Sequence, residues 1–317
     1  MSEYLVFDMD IHSENNTAFI LCAGFGTRLA PLTNFVPKAL FPIVNRTALE
    51  IIIRRLSSRK SGIKSFYINA YHLAEQISAA ANSDSISQFG ANVKVVVELP
   101  KILGTAGGIG NLYRNAGKPD GTILVHNGDV IEDFDIEALY YFHRKSGAAA
   151  TLVLVDNPQT NSVICDGKRV IAFRSGEGST YSGVSLIEPN FLKTFPHNKF
   201  ASLVEYLRPY IKRGLVFAYK TRKFWCDYGT LNSYLELHRK ILVDSAMQID
   251  GAGEHIYISP DADVHPDAEI GGFAAIGKNA QIPAGCTIIN SIVWKNTNVK
   301  PGKYVNTILT PYGKSDV

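Results

Sequence analysis

Residues 18–33 read Ala18-Phe19-Ile20-Leu21-Cys22-Ala23-Gly24-Phe25-Gly26-Thr27-Arg28-Leu29-Ala30-Pro31-Leu32-Thr33. An apolar run breaks into small residues and then into a cation. The run, Ala18–Ala23, reads as a buried strand. Glycines directly after such a strand let the backbone turn tightly and aim N–H groups at an anion. The third glycine of a dinucleotide fingerprint is missing, with Leu29 in its place, and so is the G-K-[ST] ending of a P-loop. Instead, Pro37-Lys38-Ala39-Leu40 adds a second cation, and prolines stiffen the stretch between the two. Arg28 can fork across two oxygens while Lys38 acts as a point charge, which together suit a triphosphate. The plain alternative is a tight turn with two surface cations.

Outward from this loop, short apolar runs alternate with amphipathic ones. Strands are expected at Ser65–Ala70, Val93–Glu98, Thr122–His126 and Ala149–Val155, with helices at Ala48–Arg59, Leu73–Ala81, Gly107–Asn115 and Ile136–Lys145. Strands spaced by helices imply crossover connections. The expected fold is therefore α/β: a Rossmann-like, mixed but mainly parallel sheet with helices on both faces. Arg169–Phe173, Gly183–Ile187 and Leu215–Lys220 extend the sheet, and a helix at Leu231–Val243 closes this part. Tyr4–Met9 is a possible added edge strand.

The period changes near residue 250. Ile258, Val264, Ile270, Ile276, Ile282 and Ile288 recur every six residues, with small residues (Ala262, Ala268, Ala274, Ala280, Cys286) four positions after the first five. A five-residue step then leads to Val293, Val299 and Val305. A triangular solenoid produces this pattern, each side pointing one aliphatic residue inward. Two domains are thus expected: a catalytic domain over residues 1–250, with its core at 17–245, and a short left-handed β-helix of hexapeptide repeats over 251–317. Its outward positions include Phe273, Ile289 and Trp294, read as exposed apolar residues that would favour a homo-oligomer.

Composition narrows the function. Lys plus Arg is 32 against 29 Asp plus Glu, a net charge of +3, too balanced for a chain whose main partner is nucleic acid. The four cysteines, Cys22, Cys165, Cys226 and Cys286, include no C-x-x-C pair, which suggests neither a zinc knuckle nor a disulfide framework. No apolar run approaches the roughly 20 residues of a membrane span, and residues 1–16 lack the shape of a signal peptide. A cytoplasmic protein without a membrane partner is expected.

Two acids stand where chemistry needs them. Ile123-Leu124-Val125-His126-Asn127-Gly128-Asp129 is an apolar strand ending in a carboxylate, and an acid at the C-terminal end of a parallel strand faces the ligand crevice. Trp225-Cys226-Asp227-Tyr228-Gly229-Thr230 leads into the last helix of this half. Read structurally, Asp129 is a turn or cap residue, Asp227 a turn residue and Trp225 core.

The whole loop resembles the signature of the sugar-1-phosphate nucleotidylyltransferases, G-x-G-T-R-L-x-P-L-T followed by P-K, with Ala23-Gly24 as one of its usual openings. The resemblance extends over almost the whole chain. It is closest to guanylyltransferases acting on mannose 1-phosphate and related manno-configured sugars, and the uridylyltransferase of muramate recycling is also similar. It implies that Leu21, Ala23, Gly24, Gly26, Thr27, Arg28, Glu98, Gly104 and Thr105 bind the nucleotide. The last three belong to Glu98 and Leu103-Gly104-Thr105-Ala106-Gly107-Gly108, which looks like the segment along the base and ribose. Gly128, Ser182 and Gly183 are implied to line the sugar, and Asp129 and Asp227 to hold Mg²⁺. Arg28, Lys38, Asp129 and Asp227 are the implied catalytic set.

One block departs. Many members carry Glu-Lys-Pro before the sugar strand, whereas here Phe173 is followed by Arg174-Ser175-Gly176-Glu177-Gly178. The implied partners are an NTP, GTP favoured, and a sugar 1-phosphate. Three other classes compete. A glycosyltransferase would normally show Asp-x-Asp; a non-catalytic regulatory homologue would be expected to lose Arg28, Lys38 or an acid. Acyl transfer by the repeats would have only His265 to use.

Overall fold

Alternation along the first strand sets the layers. In the computed structural model, which describes residues 16–58, 61–249 and 255–317, the strand Thr17–Leu21 sends Ala18 and Ile20 into one apolar cluster and Phe19 into another. Each face is then covered by helices. Ala48–Leu56, Ala74–Ala81 and Ile136–Ser146 bury Leu49, Ile77 and Leu139 with Ala18. Gly104–Asn115 and Leu203–Lys212 bury Ile109, Leu112 and Leu207 with Phe19. Thr47 opens the first helix with a capping box, its hydroxyl accepting from the Glu50 N–H.

The sheet has nine strands among the described residues, in the order Asn92–Val97, Ser65–Ala70, Thr17–Leu21, Ile123–Asn127, Thr180–Ile187, Ala150–Val155, Val216–Lys220, Arg169–Phe173 and Val163–Asp166. The first four run parallel, as do Ala150–Val155 and Val216–Lys220. Thr180–Ile187 lies antiparallel between Ile123–Asn127 and Ala150–Val155. The expected mixed, mainly parallel sheet with helices on both faces is therefore what forms. Several elements were not expected, two of them in or beside this sheet. The helix Leu203–Lys212 contains Pro209, which hides its period, and the hairpin strand Val163–Asp166 is short.

After residue 254, Ile256–Ile258, Glu269–Ile276, Cys286–Val293 and Thr307–Thr310 stack as parallel rungs. Ile270 pairs with Ile288, and Asp263 with Gln281, each 18 residues on, so three six-residue steps bring the chain back over itself. At the five-residue step the offset shortens, Ile276 pairing with Val293. One expected inward residue is displaced. Tyr304, not Val305, lies beside Ile288, and Val305 pairs with Ile289 and stays 42% exposed. The step from Val299 is five residues there, not six, so Tyr304 takes the inward position and Leu309 follows five residues on, beside Val293. Ile276, Ile282, Ile288, Val293 and Val299 do form the interior cluster.

A second correction concerns Phe273 and Trp294, expected to be exposed. They are 6% and 4% exposed and pack with Phe41, Tyr234 and Ile308 in a cluster shared with residues before 250. The Trp294 ring meets Phe41 edge-on at 4.9 Å, and its Nε1 donates to the Tyr234 hydroxyl at 3.1 Å. The apolar outer face of the rungs is thus covered within the same chain. The boundary placed at 250/251 and the Tyr4–Met9 strand lie outside the described residues. Among the described residues, no helix is long and apolar enough to cross a membrane.

Candidate active site

The C-terminal ends of Thr17–Leu21 and Ile123–Asn127 are adjacent, because the two strands pair in register from Thr17 and Ile123 to Leu21 and Asn127. The loops leaving these two ends must therefore meet. Gly24, Gly26, Thr27, Arg28, Lys38, Gly128, Asp129 and Gly229 line one cleft of about 280 Å³ there. Gly26 turns the loop with φ of 63°, and the Thr33 hydroxyl locks the turn by donating to the Gly26 carbonyl at 3.1 Å. Gly128 must be glycine for a different reason. A Cβ there would stand 2.4 Å from Cys22 Sγ and 2.9 Å from the Leu21 carbonyl, so the two loops touch backbone to backbone.

Asp227 arrives from the other side. The two-stranded ribbon of Val130–Glu132 and Trp225–Asp227 pairs Val130 with Asp227, and so places Asp227 beside the segment just after Asp129. Thr230 then caps the helix Leu231–Leu242, as expected, accepting from the Ser233 N–H at 3.1 Å. Lys38 sits between the two acids, its Nζ 2.7 Å from Asp129 Oδ2 and 3.2 Å from Asp227 Oδ1. The four residues singled out as catalytic are thus brought together. Arg28 lies over Gly229, since a Cβ on Gly229 would meet its Nη2 at 2.7 Å and Asp227 Oδ1 at 3.2 Å.

Tyr228 was not singled out, yet it supports Lys38 twice. Its ring lies 5.0 Å below the ammonium, and its hydroxyl donates to the Lys38 carbonyl at 3.1 Å. Burial holds the phenol proton well above its ordinary range, helped by the nearby negative charge of Asp129, so the hydroxyl remains a donor. No sequence pattern marks this tyrosine; only the ribbon geometry does.

Glu98 is placed differently from a ligand contact. It is fully buried, and its oxygens accept from Asn69 Nδ2 at 2.7 Å and from the Leu103 N–H at 2.7 Å. Asn69 in turn accepts from the Cys22 N–H at 2.8 Å. The carboxyl thus braces the glycine loop and the start of the helix Gly104–Asn115 from behind, and burial raises its pKa. Asn69 carried a readable signal: a polar residue at the C-terminal end of an apolar parallel strand, as with Asp129.

Gly107, in the segment that resembles the base and ribose stretch, lies inside the helix Gly104–Asn115 and against another backbone. A Cβ on it would lie 2.4 Å from the Lys199 carbonyl, and one on Gly110 would lie 2.1 Å from the Pro196 carbonyl. These glycines let the helix pack on backbone. Gly104 is half-buried and Thr105 exposed, and neither lines the cleft between the glycine loop and Asp129. In the sugar block, Ser182 is buried, its hydroxyl accepting from the Val184 N–H at 3.2 Å. Gly183, with φ of 86°, makes room for the Asn127 amide, 2.6 Å from where its Cβ would be. Arg174 is exposed and paired with Glu177 at 3.1 Å.

As a metal site the donor set is small. Among the described residues no group of three or more His, Cys, Asp or Glu side chains converges. Two carboxylates bridged by a cation do converge, which fits a hard divalent ion that keeps water and substrate phosphate as its other ligands.

The family described as Nucleotidyl transferase matches residues 17–163. An N-acetylmuramate alpha-1-phosphate uridylyltransferase of Neisseria meningitidis is 32% identical over 222 residues, covering 68% of this chain and 93% of that protein. A mannose-1-phosphate guanylyltransferase of Mycobacterium tuberculosis is 27% identical over 302 residues, covering 90% of this chain and 81% of its own length. A Bacillus anthracis crystal structure, described as a candidate glucose-1-phosphate thymidylyltransferase, superposes with a TM-score of 0.61 at 18% identity. It covers 70% of this chain and 94% of that one, and shows the shared fold.

Proposed function

Because this chain belongs to the sugar-1-phosphate nucleotidylyltransferase family, we propose that it makes an NDP-sugar and pyrophosphate from GTP and a manno-configured hexose or heptose 1-phosphate. The observation that carries the reading is that Arg28, Lys38 and Asp129 line one cleft, with Asp227 Oδ1 3.2 Å from Lys38 Nζ. A phosphate oxygen of the sugar attacks the α-phosphorus of the NTP, forming the new P–O bond as the bond to pyrophosphate breaks. The nucleophile is already anionic, so no side chain need remove a proton. What remains is positioning and charge neutralisation.

The residues divide that work. Gly24, Gly26 and Thr27 let the loop backbone approach the triphosphate, with Leu21 and Ala23 beside it. Arg28 forks across its outer phosphates, and Lys38 follows the charge that develops on the leaving group. Gly104 and Thr105 border the base, while Glu98 fixes their position from behind. Gly128 and Gly183 leave room for the sugar, with Ser182 shaping the turn. Asp129 and Asp227 would hold Mg²⁺, which when bound supplies positive charge against the phosphate oxygens. The C-terminal rungs form a left-handed β-helix of hexapeptide repeats. Its open ends, where Ile258 and Val305 are each 42% exposed, support self-association into a homo-oligomer.

A second reading, a uridylyltransferase acting on an amino-sugar 1-phosphate, is favoured by the 32% identical relative of that name. Pyrophosphate release from four NTPs against mannose, heptose, glucose and amino-sugar 1-phosphates separates them. GTP with a manno-configured sugar is the expected pair. UTP with an amino sugar would replace the first reading by the second, and no release from any pair would remove both.

A further inference from the structure

The loop that carries Arg28 and Lys38 does little to hold its own shape. Among residues 27–40 the secondary structure consists of three single 3-10 turns, Thr27–Leu29, Leu32–Asn34 and Lys38–Leu40. Such turns are short and poorly bonded, so contacts from outside must fix the path between them. One side is anchored by His72 Nε2, 2.7 Å from the Thr33 carbonyl, and by Gln76 Nε2, which donates to the Phe35 carbonyl at 2.9 Å. The other side is anchored from the far end of the chain. The last hairpin, Thr307–Thr310 with Gly313–Asp316, turns through Pro311 and Tyr312. The Tyr312 ring stacks on Phe35 with centroids 4.4 Å apart and planes 2° from parallel.

The placement matters because Phe35 lies between the two cations in sequence. The pair is also half exposed, Phe35 at 42% and Tyr312 at 50%, so it is not part of the core. An offset stack of this kind supplies directional attraction with little burial, enough to choose one loop path among several. We infer that Tyr312 is a positioning residue for nucleotidyl transfer: it pins Phe35, and so the C-terminal hairpin completes the triphosphate site from outside the cleft. The inference rests on the assignment of Arg28 and Lys38 to the triphosphate.

The test compares Tyr312→Ala, Tyr312→Phe, Phe35→Ala and Arg28→Ala with the full-length protein, by pyrophosphate release and by thermal unfolding. Loosening a loop that bears two transition-state contacts should lower kcat/KM for the NTP about tenfold, with KM for the sugar phosphate within about twofold. Tyr312→Phe should restore the wild-type value, because stacking uses the ring and not the hydroxyl. Phe35→Ala should match Tyr312→Ala, and neither should lower the unfolding midpoint appreciably. Wild-type kinetics in Tyr312→Ala and Phe35→Ala would overturn the inference, as would equal losses for both substrates tracking a fallen midpoint. Arg28→Ala with unchanged NTP kinetics would instead remove the underlying assignment.

Discussion

Lys38 Nζ stands 2.7 Å from Asp129 Oδ2, the shorter of its two contacts with carboxylates that arrive from different strands. The other, to Asp227, is 3.2 Å, and both acids are little more than a third exposed. One ammonium therefore balances two negative charges at the place where a divalent ion would sit. A metal ion held as proposed would compete with Lys38 for the same oxygens, and a bound triphosphate would give the ammonium other oxygens to hold.

Lys38→Ala should accordingly do two opposite things. Turnover should fall, while metal binding to nucleotide-free protein should tighten roughly tenfold, the scale of one charge interaction at a partly exposed site. Calorimetric titration of Mn²⁺ into nucleotide-free protein measures the second effect. Affinity unchanged or weaker than wild type would show that the ammonium is not a competitor.

Asp129→Asn and Asp227→Asn each keep the side-chain shape and remove a charge. Each should cost roughly 10²–10³ in kcat with little change in unfolding midpoint. If Asp227→Asn turned over at the wild-type rate with magnesium, Asp227 would not be a ligand.

Gly229→Ala is a sharper probe of Arg28. The added Cβ would sit 2.7 Å from Arg28 Nη2 and 3.0 Å from its Cζ, so the guanidinium must move while the backbone need not. NTP kinetics should deteriorate as in Arg28→Ala, with stability nearly unchanged. A variant with intact kinetics would mean that the guanidinium acts from another position.

His238 should make the fold sensitive to acid. It is fully buried, its Nε2 accepting from the Val44 N–H at 3.1 Å, and its Nδ1 lies 3.0 Å from the Tyr234 carbonyl. Burial lowers its pKa from 6.5 to about 4. A group depressed in this way is neutral in the fold, so its unfolded form binds a proton first. Stability is thus unaffected above pH 6.5 and falls as the pH drops towards 4, by on the order of 3 kcal/mol in total. Urea unfolding across that range should show the decline in wild type and a smaller one in His238→Gln. Parallel curves would assign the acid sensitivity elsewhere.

Some of this was legible from spacing alone. The glycine loop, Asp129 and Asp227 could be found because strand ends and turn residues announce themselves locally, and the six-residue ladder announces a coil. What could not be read depends on contacts between distant segments. Glu98 matches a binding motif, but only the fold shows Asn69 and the Leu103 N–H closing over it. Gly107 looks like a ligand glycine until the Lys199 backbone is placed against it. Phe273 and Trp294 were misread because a surface residue and an interdomain one share the same pattern. Val305 was placed inward because nothing in the local sequence marks the five-residue step that brings Tyr304 opposite Ile288.

The position of Thr180–Ile187 has a consequence for how the chain acquires its structure. Ile123–Asn127 and Ala150–Val155 are not neighbours; that later strand separates them, antiparallel to both. During synthesis, everything needed for the four parallel strands on one side has emerged once residue 127 is free. The other side must wait. Until residue 187 appears, the flanks of both strands present unpaired N–H and C=O groups next to apolar faces, a surface that invites wrong pairing. Non-local pairing of this kind is slow to form. Folding should therefore proceed in two stages, with the four parallel strands formed first and Ala150–Val155 completed last, since its other neighbour, Val216–Lys220, emerges later still.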